Sequence, residues 1–396
     1  KAQLEALIKA KAQGCSIVPV WNKSFREHSI IGTKPESVRK EADAAVSALS
    51  WKDSYYVDAD HISMKNVDFF IDASDFFTLD IADFVGKEAS SADISAFVEA
   101  NRSYIGTLTI PGIERHLTVT QDTIRKTASV YLYAIKEAGR LYRYIEGKKG
   151  KGNFVTEVSM DETASPQTPE ELFFILAGIA AEGIPAQTIA PKFSGRFNKG
   201  VDYAGDVGQF GREFDEDISV IAFAVKEFGL PENLKLSVHS GSDKFSIYPY
   251  ISRAIQRHSA GLHLKTAGTT WLEEVAGLAL AGGEGLSLVK DLYRESLKRY
   301  DELSAPYAPV IDIRKEGLPE PSDVDALTPS EFAAMLIHDE KNPAYNPNFR
   351  QMLHISFRIA AEMGKRYTEA LETYRTVIEE NVTRNLYERH IRPVFM

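Results

Sequence analysis

Residues 154–193 read FVTEVSMDETASPQTPEELFFILAGIAAEGIPAQTIAPKF, and this stretch decides the fold. Phe154–Asp161 is a strand-length run whose apolar face is Phe154, Val158 and Met160, with Thr156 a small exception. Thr168-Pro169-Glu170-Glu171 then marks a helix start: an N-cap, a first-turn proline, and acidic groups at the positive end of the dipole. The apolar helix Pro169–Glu182 leads to a second strand, Gln187–Phe193. A strand, a helix and a strand in so short a span predict a parallel pair joined by a crossover helix.

The alternation extends in both directions. Ser16–Trp21, Tyr55–Ile62 and Phe76–Ala82 precede the pair as strands, and Leu234–Gly241 and Leu262–Gly268 follow it. Helical patterns cover Pro35–Ser50, Asp122–Ile145, Asp215–Phe228 and Leu272–Ala281. Seven strands before residue 270 favour an α/β fold of the (β/α)8 TIM-type barrel class over an open doubly wound sheet. No glycine-rich phosphate loop follows the first strand, which also counts against a dinucleotide fold. Val310–Ile313 is the candidate eighth strand, whereas Ala333–Ile337 reads as helix and Gly317–Thr328 as loop. A catalytic barrel over 1–315 is therefore expected, with an insertion at about 86–120 forming a lid or small subdomain. A helical extension over 316–396, dominated by one long helix Asn348–Glu380, is expected to pack on it.

Composition sets the class of partner. The 396 residues are 44% hydrophobic and 26% charged, as in an ordinary globular protein, with a net charge of -10. No basic face stands out for nucleic acid, so a small-molecule ligand is expected, and an anionic one would need lysines inside its pocket. No apolar run approaches the ~20 residues that span a bilayer, and no signal peptide is evident, although the start at Lys1 leaves room for trimming. The single cysteine, Cys15, reads as a buried thiol and fits a reducing cytoplasm. A homo-oligomer is compatible with all of this.

Alternate residues of a barrel strand face the surrounding helices and are apolar, while the others face the interior. That rule places Glu157, Ser159 and Asp161 inside one strand and Lys235, Ser237 and His239 inside another. His263 and Lys265, Lys192, Asp58 and Asp60, and Asp80 fall inside theirs. Barrel interiors are normally filled by Val, Ile and Leu, so this much inward charge points to pairing, metal binding or chemistry.

Asp161 and His239 occupy the last inward positions of their strands, where a carboxylate and an imidazole suit Zn, Mn, Co or Ni. Glu157 and His263, a step deeper, complete a metal set or orient its members. Lys192 and Lys265 supply charge for a carboxylate-bearing substrate; Lys265 can also serve as an acid, a base or a Schiff-base amine. Ser240, Asp243 and Lys244 form a turn suited to anions or hydroxyls, with Asp243 equally readable as an N-cap. His61, beside Asp60, is placed for proton transfer, alongside Asp161 and Lys265 as catalytic candidates. His28, His258 and His390 read as surface residues, His116 belongs to the insertion, and His354 reads as a core histidine.

The blocks Val57-Asp58-Ala59-Asp60-His61-Ile62 and Ala190-Pro191-Lys192-Phe193-Ser194-Gly195 carry a resemblance. So do Leu236–Pro249 and Leu264-Lys265-Thr266-Ala267-Gly268-Thr269-Thr270-Trp271-Leu272-Glu273. Together they resemble the tagaturonate epimerase family over about 55–275. The resemblance implies an isomerase that interconverts D-tagaturonate and D-fructuronate in hexuronate breakdown, with some members acting on tagatose and fructose. It also implies dependence on a divalent metal. The inverted carbon is β to the ketone, so simple enolisation does not acidify its C–H. A metal-assisted retro-aldol/aldol route is expected, because an oxidation route would need a nicotinamide and no dinucleotide fingerprint is present. The alternatives are a metal-dependent sugar-acid aldolase or lyase using the same groups, and a non-catalytic sugar-acid-binding protein.

Overall fold

The computed structural model describes residues 1–396, except for the side chains at 267 and 269. Seven strands form one all-parallel sheet in sequence order. They are β1 (Val20–Asn22), β2 (Tyr56–Ile62), β3 (Phe76–Asp80), β4 (Val155–Ser159), β5 (Thr188–Ala190), β6 (Lys235–Val238) and β7 (Leu262–Leu264). Each falls within or overlaps an expected segment. Register is continuous across the middle, with Glu157 opposite both Thr78 and Thr188.

The helix between β4 and β5, Pro169–Ala181, starts as expected: the Thr168 hydroxyl accepts from Glu171 N and the Glu171 carboxylate accepts from Thr168 N. Phe173, Phe174, Ile175 and Leu176 of this helix have no exposed surface. Each contributes roughly 1.5–3 kcal/mol relative to an exposed position, which clamps the helix to the sheet.

The ring does not close. Among the described residues the sheet has seven strands and β7 does not pair with β1, so the sheet is a curled half-barrel and not an (β/α)8 barrel. The candidate eighth strand fails for a local reason. Ala305–Val310 is a 3-10 turn containing Pro309, and the amides beyond it go to side chains: Asp312 N donates to Gln351 Oε1 and Arg314 N to Asn348 Oδ1. Side-chain contacts bridge the gap instead. Gln3 accepts from Trp21 Nε1 on β1 at 2.8 Å and donates to Thr270 Oγ1 beyond β7 at 2.7 Å.

Segment 86–120 holds a helix, Ser91–Ala100, and an antiparallel hairpin, Gly106–Leu108 with Leu117–Val119. It packs on the outer helices, where Tyr104 meets Phe173, Phe174 and Phe228 and bonds Glu227. The helical extension is broken, not continuous. Pro347–His354, Phe357–Met363, Lys365–Thr373 and Arg375–Arg384 replace the single helix expected over 348–380, and Gly364 at φ +57 makes one of the breaks. Pro321–Ala326 is a short helix inside the expected loop. A second apolar core joins these helices to Ala267–Ala281 and Gly283–Lys298 around Leu272, Val289, Phe332, Phe349 and Met352. No helix among the described residues is long and apolar enough to cross a membrane.

Candidate functional site: a carboxylate, histidine and lysine cluster at the strand ends

β2 ends in an irregularity between Ala59 and Ile62, where His61 takes φ +53. A non-glycine residue is strained there, and such strain is retained where neighbours fix it. Its consequence here is that two consecutive side chains reach one cluster. Asp60 Oδ1 lies 2.7 Å from Lys265 Nζ and 3.1 Å from His61 Nδ1, while His61 Nε2 lies 3.4 Å from Asp161 Oδ1.

Lys265, just past β7, crosses the sheet to meet β2 and β4. Its ammonium lies 3.0 Å from Asp58, 2.7 Å from Asp60 and 3.1 Å from Glu157, and donates to Thr78 Oγ1 at 2.9 Å. Burial alone would lower its pKa, but Asp58, Asp60 and Glu157 hold it well above the usual lysine range. It is therefore a fixed positive donor, and not the neutral amine that base or Schiff-base chemistry requires. Burial lifts Asp58 against the pull of Lys265. Asp60 is also buried, yet Lys265 and His61 keep it well below the normal carboxylate range.

Glu157 is the hub beneath. It has no exposed surface, and its two oxygens accept from Thr78, Thr188, His239 Nε2 (2.8 Å) and His263 Nδ1 (3.0 Å). Burial opposes its charge, but Lys265, His239 and His263 hold it ionised, far below the ordinary glutamate value. An imidazole N–H must face that carboxylate, so Nε2 of His239 carries the proton and Nδ1 presents a lone pair. That Nδ1 is buried, has no hydrogen-bond partner among the described residues, and lies 3.1 Å from Asp161 Oδ1. Two lone pairs facing each other at that distance need a proton or a cation between them.

Among the described residues, His61, Asp161 and His239 each offer one ligand atom, and these atoms lie within 4.8 Å of one another. Carboxylates hold the far nitrogens, Asp60 for His61 and Glu157 for His239, as in carboxylate–histidine–metal arrangements. Two imidazole nitrogens and a carboxylate oxygen suit a borderline divalent ion, and three protein ligands leave a position for substrate. The residues present fit a metal. Without one, the carboxylates hold protons on the rings: burial opposes it, yet Asp60 and Asp161 raise His61 well above its usual value, and Asp161 and Glu157 raise His239.

The grouping differs from the expected one. His61, assigned to proton transfer from the sequence, stands with Asp161 and His239, while Glu157 and His263 lie one step behind, the orienting alternative of their reading. Ser237 bonds His263, and Ser159 Oγ donates to Asp161 Oδ1 at 2.6 Å. Ser240 follows His239 at φ 50 and is half-buried. Lys192 lies two residues past β5, its amide held by Gln167 Oε1. Asp80 caps a turn through Ala82 N, and burial raises its carboxyl.

Asp243 and Lys244 have no exposed surface. Asp243 is neither an N-cap nor open to ligand: it pairs with Arg350 at 3.0 Å. All three Lys244 donors go to the carbonyls of Asn198, Val201 and Ser242, so this ammonium ties loops together and has no face for an anion. His28 and His390, expected at the surface, are buried; His390 Nε2 accepts from Asp243 N. Cys15 is half-buried, and burial pushes its thiol pKa up.

Several contributors escaped the sequence reading. Thr78 and Thr188 sit on inward positions but carry no charge, so a search for buried charge passes over them. Lys199, which donates to Ser240 Oγ at 2.8 Å, lies in a loop where strand alternation says nothing. A surface crevice of about 430 Å³ lined by Asp93, Lys136 and Arg140 lies on the outer helices and collects none of the cluster's groups.

The tagaturonate epimerase family model matches residues 5–392. The tagaturonate/fructuronate epimerase of Thermotoga maritima is 28% identical over 394 residues, 95% of this chain and 75% of that protein. The fold is shared with the native crystal structure of the fructuronate-tagaturonate epimerase from Cohnella laeviribosi. The TM-score is 0.77 at 23% identity, over 99% of this chain and 79% of that one. Its one-glycerol complex gives 0.74 at 24% identity, over 98% and 79%. The family match takes in every residue of the cluster, and the chain belongs to the tagaturonate epimerase family.

Proposed function

We propose that this protein interconverts D-tagaturonate and D-fructuronate, by a retro-aldol and aldol sequence assisted by a divalent metal. The observation that carries the reading is the family match over residues 5–392, which includes the whole cluster from Asp58 to Lys265. The supporting chemistry is the pairing of a three-ligand metal group with a fixed ammonium. His61, Asp161 and His239 would hold the ion. When bound, it would supply Lewis acidity toward the substrate's ketone and hydroxyl oxygens.

The remaining steps fall to the chain. Asp60, held ionised by Lys265 and His61, takes the proton of the hydroxyl on the inverted carbon. The bond from that carbon to the carbon α to the ketone breaks, its electron pair passing to the α-carbon side as an enediolate while the inverted carbon becomes an aldehyde. Lys265, whose donors go to Asp58, Asp60 and Thr78, contributes its positive charge from behind Asp60 and donates to no substrate oxygen. The aldehyde turns its other face, the bond re-forms, and Asp60 returns the proton. Ser240 and Lys192 are the substrate-facing groups of this reading, and the same geometry would admit the neutral ketoses tagatose and fructose.

The test supplies fructuronate to metal-loaded protein in deuterated water. Tagaturonate should form while the inverted carbon keeps its original hydrogen, because no C–H bond breaks there. Failure to interconvert the two acids removes the assignment, whereas deuterium at the inverted carbon removes only the retro-aldol route.

A further inference from the structure

Lys199 differs from Lys265 and Lys244. Lys265 faces three carboxylates and Lys244 three carbonyls. Lys199 has one hydrogen-bond acceptor, Ser240 Oγ at 2.8 Å, and among the described residues no carboxylate lies within ion-pair distance of it. Its backbone is fixed on both sides, the amide donating to Val310 O at 2.8 Å and the carbonyl accepting from Gln351 Nε2 at 3.0 Å. Ser240 directly follows His239 and is held at φ 50, a conformation that costs energy for serine and aims its hydroxyl.

A neutral imidazole completes the surroundings. Gly200, at φ +74, and Gly268 make room for the His354 ring; a Cβ at Gly268 would come 2.4 Å from His354 Nε2. His354 Nδ1 is buried without a hydrogen-bond partner among the described residues. Burial, then the positive charges of Lys199 and Arg350, lower its pKa to about 3, so it adds hydrogen-bonding capacity and no charge. Segments following β5, β6 and β7 thus meet around one ammonium and one hydroxyl that lack an anion, in a protein of net charge -10.

We propose that Lys199 and Ser240 form the seat for the substrate's carboxylate, so that the site selects a sugar acid over the corresponding neutral sugar. This rests on the epimerase reading and names the group that sets its substrate class. The carboxylate is separated from the inverted carbon by one carbon. Anchoring it would hold the aldehyde fragment in place while its reacting end turns over.

The test compares wild type with Lys199→Met, Lys199→Arg and Ser240→Ala, all metal-loaded. Lys199→Met should raise KM for fructuronate roughly 10- to 100-fold, the range for one charged hydrogen bond, with kcat changed far less. Lys199→Arg should recover most of the loss and Ser240→Ala should show a smaller one. Binding of D-galactonate and of neutral galactitol, measured by calorimetry, provides the second readout. Galactonate should bind wild type more tightly than galactitol does, and Lys199→Met should remove that difference while leaving galactitol unchanged. Equal weakening of both ligands, no weakening of either, or no preference for galactonate in wild type overturns the seat. If wild type discriminates between these ligands but does not turn over fructuronate, the epimerase reading fails and the seat stands.

Discussion

Arg350 Nη2 lies 3.0 Å from Asp243 Oδ2, and neither side chain has any exposed surface. The same guanidinium donates to Gly200 O at 2.6 Å and to Leu336 O at 2.9 Å. It thereby joins the loop after β5, the turn after β6 and the C-terminal helices at one point. Burial works against the Asp243 charge, yet Arg350, with His338 and His390 behind it, holds the carboxyl well below its usual range. Glu273, 3.8 Å from the same guanidinium, is lifted by burial to about 7. The turn carrying Ser240 is thus anchored by an ion pair in the helical body.

Removing one partner of such a pair strands the other charge. Arg350→Met should destabilise the protein by about 3–5 kcal/mol, and pairing it with Asp243→Asn should return part of that loss. Denaturant unfolding of the three proteins measures both effects. A single-variant loss below about 1 kcal/mol, the size of an exposed pair, would show the pair to be dispensable.

Glu157→Gln tests the metal group from behind. It removes the charge that keeps the proton on His239 Nε2 and so weakens the lone pair at Nδ1. Divalent-metal affinity should fall by about 10–100-fold, as for other partners of metal-bound histidines. Asp161→Asn, which alters a ligand oxygen itself, should cost more. Chelator competition gives both values, and unchanged affinity in the two variants would place the metal elsewhere.

The sequence made the seven strands and the inward charge legible because both follow from a period of two. Glu157, His239, His263 and Lys265 meet where alternation put them. The reading stopped where the backbone leaves that period. At His61 the β2 irregularity turns one more residue into the cluster than alternation permits, which puts His61 beside Asp161 and His239 and leaves Glu157 the orienting role. Lys244 looked like an anion ligand because a lysine in a glycine turn says nothing about which carbonyls will surround it. The eighth strand failed because Val310–Ile313 has strand composition, while side chains far along the chain take the amides there: Gln351 that of Asp312 and Asn348 that of Arg314, just beyond. Arg350 and His390 gave no local signal, since what buries them is the packing of separate helices.

Asp60→Asn separates proton transfer from metal binding. A carboxamide preserves shape and can still meet His61, but it cannot take a proton from the substrate. Measured at saturating metal, kcat should fall by about 10²–10⁴-fold, the usual worth of a positioned acid–base group, with KM close to wild type, while metal affinity falls about 10–100-fold as for Glu157→Gln. Retention of full turnover would move the proton to another group. Recovery of full turnover once metal is saturating would show that Asp60 acts only by holding His61.

Acid should destabilise the protein through histidines outside the cluster. Burial, opposed by Asp243, lowers His390 to about 4, and His354 stands at about 3. In the unfolded chain both return to about 6.5. Above that pH neither form carries the proton and the full stability is present. As pH falls below 6.5 the unfolded chain gains protons that the folded one refuses until about 4 and 3, so folding stability drops by roughly 1.4 kcal/mol per pH unit for each ring. His354→Gln should therefore flatten the decline between pH 6 and pH 5 by about one proton relative to wild type, read from denaturation midpoints across that range. Parallel declines in the two proteins would mean that His354 titrates normally in the fold, and hence that its nitrogen is solvated and not confined between Gly200 and Gly268.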